Sequence, residues 1–154
     1  MRRRDERALA SSCLLPLASC LLFVATCKSD SLAPTGDSLA LGTWGGDNSG
    51  VIVSDSGMHV HIGCTYGDVI GLVPLDGDGK LDVAGSYLVR AYPVAVGPSM
   101  PAQFSGQVAG NRLTLVVAVY DTLEHKIQIL GPVTVQFGKE PQLGPCPICR
   151  TMSN

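Results

Sequence analysis

At 154 residues, 45% of them hydrophobic and 16% charged, the chain is long enough for one packed domain and too apolar to be disordered. Eighteen Gly and ten Pro argue against long helices and for many short strands. A formal net charge of -2, with no basic patch interleaved with aromatics, excludes nucleic acid as the expected partner.

The first seven residues hold four arginines and two acids, and Ala8 to Thr26 then runs without a charge up to Cys27-Lys28-Ser29-Asp30. A positive start, an apolar middle and a small-residue exit are the layout of a secretory signal helix, here residues 1–26. An uncleaved anchor is a second reading, since the run is just long enough to span a bilayer, although Pro16 and several serines interrupt it. Secretion without lipid is a third.

The exit Val24-Ala25-Thr26-Cys27 resembles the lipobox of bacterial lipoproteins, in which the cysteine is acylated on its sulfur and becomes the new N-terminus. Leu17-Ala18-Ser19-Cys20 matches that motif better letter by letter, but cleavage there would expose Leu-Leu-Phe-Val-Ala-Thr, so Cys27 is the preferred lipidation site. The resemblance implies a membrane partner. Each buried CH₂ of an acyl chain contributes about 0.8 kcal/mol, so two or more chains hold a protein to a bilayer. Lys28 stands where an aspartate would mark inner-membrane retention, which by the same resemblance points to the outer membrane. Residues 27–40, rich in Ser, Asp, Gly and Pro, read as a flexible tether.

The folded domain is expected over residues 41–149, with a short tail at 150–154. Leu41-Gly42-Thr43-Trp44-Gly45-Gly46 opens it and carries the single tryptophan. Gly50 to Val53 is a second run, ended by Asp55-Ser56-Gly57. Met58, Val60, Ile62 and Cys64 then form one apolar face, with His59 and His61 on the other, up to a turn expected at Tyr66-Gly67-Asp68. Val69 to Leu75 leads to Asp76-Gly77-Asp78-Gly79. Leu81 to Val89 alternates, and so does Ala102 to Val108, which passes through Gly110-Asn111 into Leu113, Leu115, Val117 and Val119. Ile127 to Ile129 and Val133 to Phe137 close the series.

Alternating runs with turn signals every eight to twelve residues indicate an all-β domain. Sequential hairpins favour one antiparallel up-and-down barrel of seven or eight strands, or a barrel-like sandwich. Gly42-Thr43-Trp44 is similar to the G-x-W start of lipocalin-type barrels, a resemblance that implies Trp44 plugging one end. GTWGG, LDGDGKLDVAG and FSGQVAGNRLTLVV together resemble uncharacterised bacterial secreted or lipid-anchored proteins, which brings no activity and no functional residue.

Three constellations could carry chemistry. Asp76, Asp78 and Asp82 are spaced as in oxygen-donor loops for calcium, but the bidentate Glu of an EF-hand is missing, so a hairpin turn is the preferred reading. His59 and His61 lie two apart on a strand and share a face, as imidazoles do that bind zinc, with His125 the remaining histidine. Cys146-Pro147-Ile148-Cys149 is a C-x-x-C without the βαβ context of thiol redox enzymes, so a structural bridge is expected, Cys64 to Cys146 first. A Cys64–Cys149 bridge and a local Cys146–Cys149 bridge stay open. With no nucleophile elbow, P-loop or dinucleotide fingerprint, the expectation is a non-enzymatic envelope protein without a cofactor. It would bind a small apolar ligand in the barrel or another envelope component. The competing reading is a metal- or thiol-dependent enzyme using His59 and His61 or the Cys146–Cys149 pair.

Overall fold

The computed structural model describes residues 36–89 and 97–146. The signal helix, Cys20, Cys27 and Cys149 lie outside the described residues. Eight strands follow in order: β1 (Gly42–Gly46), β2 (Ser49–Ser54), β3 (Gly57–Ile62), β4 (Thr65–Ile70), β5 (Lys80–Leu88), β6 (Met100–Ala109), β7 (Arg112–Asp121) and β8 (Lys126–Phe137). Each pairs antiparallel with its chain neighbours, and β8 returns to β1, closing the barrel. The fold is therefore the all-β up-and-down barrel that the alternation and turn spacing predict.

Closure follows from strands that each bury one face. On β7, Leu113, Leu115, Val117 and Val119 are fully buried, while Thr114 and Tyr120 face solvent. The same period of two places Val51 and Val53 of β2, Met58 and Val60 of β3, and Leu81 of β5 inside. A one-residue slip in any of these strands would turn its apolar set outward, so burial specifies the register. Trp44, Tyr87 and Phe104 are each 0% exposed and fill the interior together with these aliphatics. Small residues do not hollow the barrel. Ala84 faces outward, the Phe104 ring stands beside Gly85, and Leu113 and Leu115 stand beside Gly106.

Trp44 pairs across to Val51 on one side and Phe137 on the other. Its indole N–H donates to the Ala40 carbonyl at 3.1 Å, and its ring meets Phe137 edge-on at 5.1 Å. Ordered contacts begin before it, inside the stretch read as tether. The Leu39 amide donates to Val73 and the Leu75 amide to Asp37, at 2.8 and 2.9 Å, so Leu39 is buried against the core.

Three local expectations are corrected. The turn after β3 is Gly63-Cys64, with Gly63 at φ 59°, and Tyr66-Gly67-Asp68 continues β4 as strand. Gly67 is a packing glycine, since a Cβ there would stand 2.3 Å from the Tyr87 ring. The run from Val69 to Leu75 breaks after Ile70, where Gly71 takes φ 84°. The two segments around residues 127 and 135 form a single strand, β8, whose register with β7 shifts between Leu115 and Val117.

After β8 the chain becomes a strap over the outside of β1 and β2. Gln142 accepts from the Asn48 amide at 2.9 Å and donates to the Gly46 carbonyl at 3.0 Å. Gly45 and Gly50 are cross-strand partners on the outer face beneath it. A Cβ on Gly45 would lie 2.3 Å from the Glu140 backbone, and one on Gly50 2.6 Å from Pro141. The paired glycines make the groove in which the strap lies.

Among the described residues, buried side-chain polar groups are satisfied. Thr65 donates its hydroxyl proton to the Ile62 carbonyl at 2.7 Å, which leaves its oxygen to accept from the Tyr87 hydroxyl at 2.9 Å. Burial pushes the Tyr87 phenol up to about 12, against the opposing pull of the Thr65 and Ile62 hydrogen bonds. The folded state thus holds the phenol proton at pH values where the unfolded chain has lost it. That contribution is fully present below about pH 10 and is lost as pH rises towards 12. Two units correspond to about 2–3 kcal/mol. Stability followed by circular dichroism should fall across that window, and Tyr87→Phe should flatten the fall.

Candidate functional site

The densest cluster of chemistry-bearing side chains lies on the outer face of β3 and β4. Register sets it: His59 stands opposite Asp68, and His61 opposite Tyr66. The apolar partners Met58 and Val60 claim the interior, so the period of two turns both histidines outward. His59 Nδ1 lies 2.6 Å from Asp68 Oδ1. The two imidazole rings are 4.8 Å apart, centroid to centroid, and the Tyr66 ring lies 5.7 Å from His59 and 5.6 Å from His61. Partial burial pushes the His61 pKa below the ordinary histidine value. The neighbouring His59 acts in the same direction, and Asp68 opposes both. Beside the cluster is a hollow of about 220 Å³ lined by Ile52, His59, Asp68 and Ile70 among others. His125, the third histidine, sits in the β7–β8 turn at φ 51° and takes no part.

The aspartates of the 76–82 segment act on the protein itself. Asp76 Oδ1 accepts from the Asp78 and Lys80 amides at 2.9 and 2.8 Å. The Lys80 hydrogen bond is the main cause that holds the Asp76 carboxyl below its ordinary value. Asp78 pairs loosely with Lys80 at 3.7 Å. Asp82 Oδ1 accepts from Gln103 and Ser105 at 2.7 and 3.0 Å, tying β5 to β6. The arrangement is a side-chain-closed turn. Among the described residues no set of three or more His, Cys, Asp or Glu is arranged to hold a metal. A shallow hollow of about 600 Å³ opens beside this turn, lined by Pro74, Leu75, Asp76, Lys80, Asp82 and Ser105 among others.

Cys64 and Cys146 form a disulfide, with Cα atoms 5.6 Å apart. Three neighbouring pieces place them. The Asn48 carbonyl accepts from the Gly63 amide at 2.8 Å, and the Asn48 amide donates to Gln142. Asn48, at φ 52° in the β1–β2 turn, thereby joins that hairpin, the β3–β4 turn and the strap. Of the pairings open to the sequence, the described residues contain the Cys64–Cys146 bond.

A feature not read from the sequence is an apolar strip on the outer face of β7 and β8. Tyr120 pairs with Ile127 and Ala118 with Ile129, and Tyr120, Ile127 and Ile129 remain 45%, 61% and 61% exposed. The signal was present in the alternation of Ile127 and Ile129, which reads equally well as an inward face. Comparison of the chain with protein-family profiles, with curated proteins and with solved structures finds no match.

Proposed function

We propose that the protein is a lipid-anchored component of a bacterial cell envelope, non-enzymatic, whose barrel presents its outer surface to another envelope component. The packed interior carries this reading. A carrier of a small apolar ligand needs a cavity of some hundreds of Å³, and here Trp44, Tyr87, Phe104 and the β7 aliphatics occupy the centre of the barrel. The outer strip of Tyr120, Ile127 and Ile129 supports a surface role in its place. The leader ending at Cys27 supports the anchor, and a disulfide suits an oxidising compartment.

Detergent phase partitioning of the expressed full chain tests the anchor. The unaltered protein should enter the detergent-rich phase and incorporate labelled fatty acid. Cys27→Ser should move it to the aqueous phase without label, whereas Cys20→Ser should still be labelled. Label lost in Cys20→Ser and kept in Cys27→Ser would move the anchor to Cys20. No label in any form would remove it.

A further inference from the structure

We propose that His59 and His61 form a two-imidazole chelate for a first-row divalent cation, copper ahead of nickel and zinc, with Asp68 as the carboxylate that orients His59. The observation is the arrangement of His59, His61 and Asp68 on the β3–β4 face. Residues two apart on a strand project side by side, and here the rings approach to 4.8 Å. The Asp68 carboxylate accepts from His59 Nδ1 at 2.6 Å. That places the proton of the neutral ring on Nδ1 and leaves the Nε2 lone pair for a ligand. A carboxylate behind a ligating histidine is the common support of imidazole metal sites, where it fixes the tautomer and raises ligand basicity.

Imidazole pairs suit copper, nickel and zinc, and affinity for a given nitrogen site rises to copper and falls at zinc. Nothing among the described residues supplies a third His, Cys, Asp or Glu ligand, so the remaining positions would be held by water. The His59 and Asp68 side chains remain 36% and 53% exposed, which leaves solvent access for that water. An ion held this way is open to exchange and to a donor from another molecule. The site thus fits cation capture or metal-bridged contact.

The test is calorimetric titration of the full chain with Cu²⁺, Ni²⁺ and Zn²⁺ salts at neutral pH, with the copper complex also read by electron paramagnetic resonance. One ion per chain is expected, with nitrogen hyperfine structure from imidazole. His59→Ala and His61→Ala should each weaken binding at least about tenfold. Asp68→Asn should weaken it about 10–100-fold, as loss of an outer-shell carboxylate does elsewhere. His125→Ala should bind as the parent does. All four side chains lie on the surface or in a turn, and circular dichroism should show an intact barrel in each variant. No binding by the full chain, or binding unchanged in both His59→Ala and His61→Ala, would overturn the proposal. Loss on His125→Ala with retention in the other two would do the same.

Discussion

Replacing Cys146 with Ser, or reducing the Cys64–Cys146 bond, is expected to lower the unfolding free energy by about 4 kcal/mol. The bond spans 82 residues of sequence, so it closes most of the barrel into one loop. In the chain-entropy account, closing a loop of that size stabilises by about 4–4.5 kcal/mol, acting on the unfolded chain. Set against a domain stability of about 5–15 kcal/mol, the loss brings a small barrel close to unfolding at body temperature. The strap should come loose first. It is held to the barrel by the Gln142 hydrogen bonds and by contact of Glu140 and Pro141 with Gly45 and Gly50. Urea unfolding with and without reductant measures the effect. A shared midpoint would mean that these contacts hold the strap without the bond.

Trp44→Ala should cost about 3–5 kcal/mol, the range for removing a large buried aromatic. Trp44 is wholly buried, so the substitution leaves a void at the meeting of β1, β2 and β8. It also removes the hydrogen bond to Ala40 and the edge contact with Phe137. Trp44→Phe keeps most of the volume and loses the hydrogen bond, so a smaller loss is expected. Because the change deletes the single tryptophan, unfolding is followed by far-ultraviolet circular dichroism. Equal midpoints for the parent and Trp44→Ala would show that β1 contributes little to closure.

The barrel was legible because its signals are local and repeated. Leu113, Leu115, Val117 and Val119 alternate cleanly, Gly110-Asn111 turns as such pairs do, and the same grammar recurs along the chain. The sequence misleads where one residue type serves two ends. Gly67 reads as a turn glycine next to Asp68, yet it lies in mid-strand, where its missing side chain admits Tyr87. Leu39 reads as part of a polar tether, and its burial depends on Val73, far along the chain. The outward pairing of His59 and His61 follows from alternation alone. The Asp68 contact that gives the pair its chemistry needs the β3–β4 register, which the Gly63-Cys64 turn sets and the Tyr66-Gly67-Asp68 signal obscures. The Cys64–Cys146 bond was readable as one of several pairings, and the strap geometry selects it.

The central proposal is a lipid-anchored barrel whose packed interior holds no ligand. Native mass spectrometry of the protein extracted from membranes in mild detergent reads both properties at once. The predicted species is a chain beginning at Cys27 that carries acyl mass, has the mass deficit of a disulfide, and retains no organic ligand after activation. A chain without acyl mass, or one that keeps a stoichiometric apolar molecule through detergent removal, would contradict it.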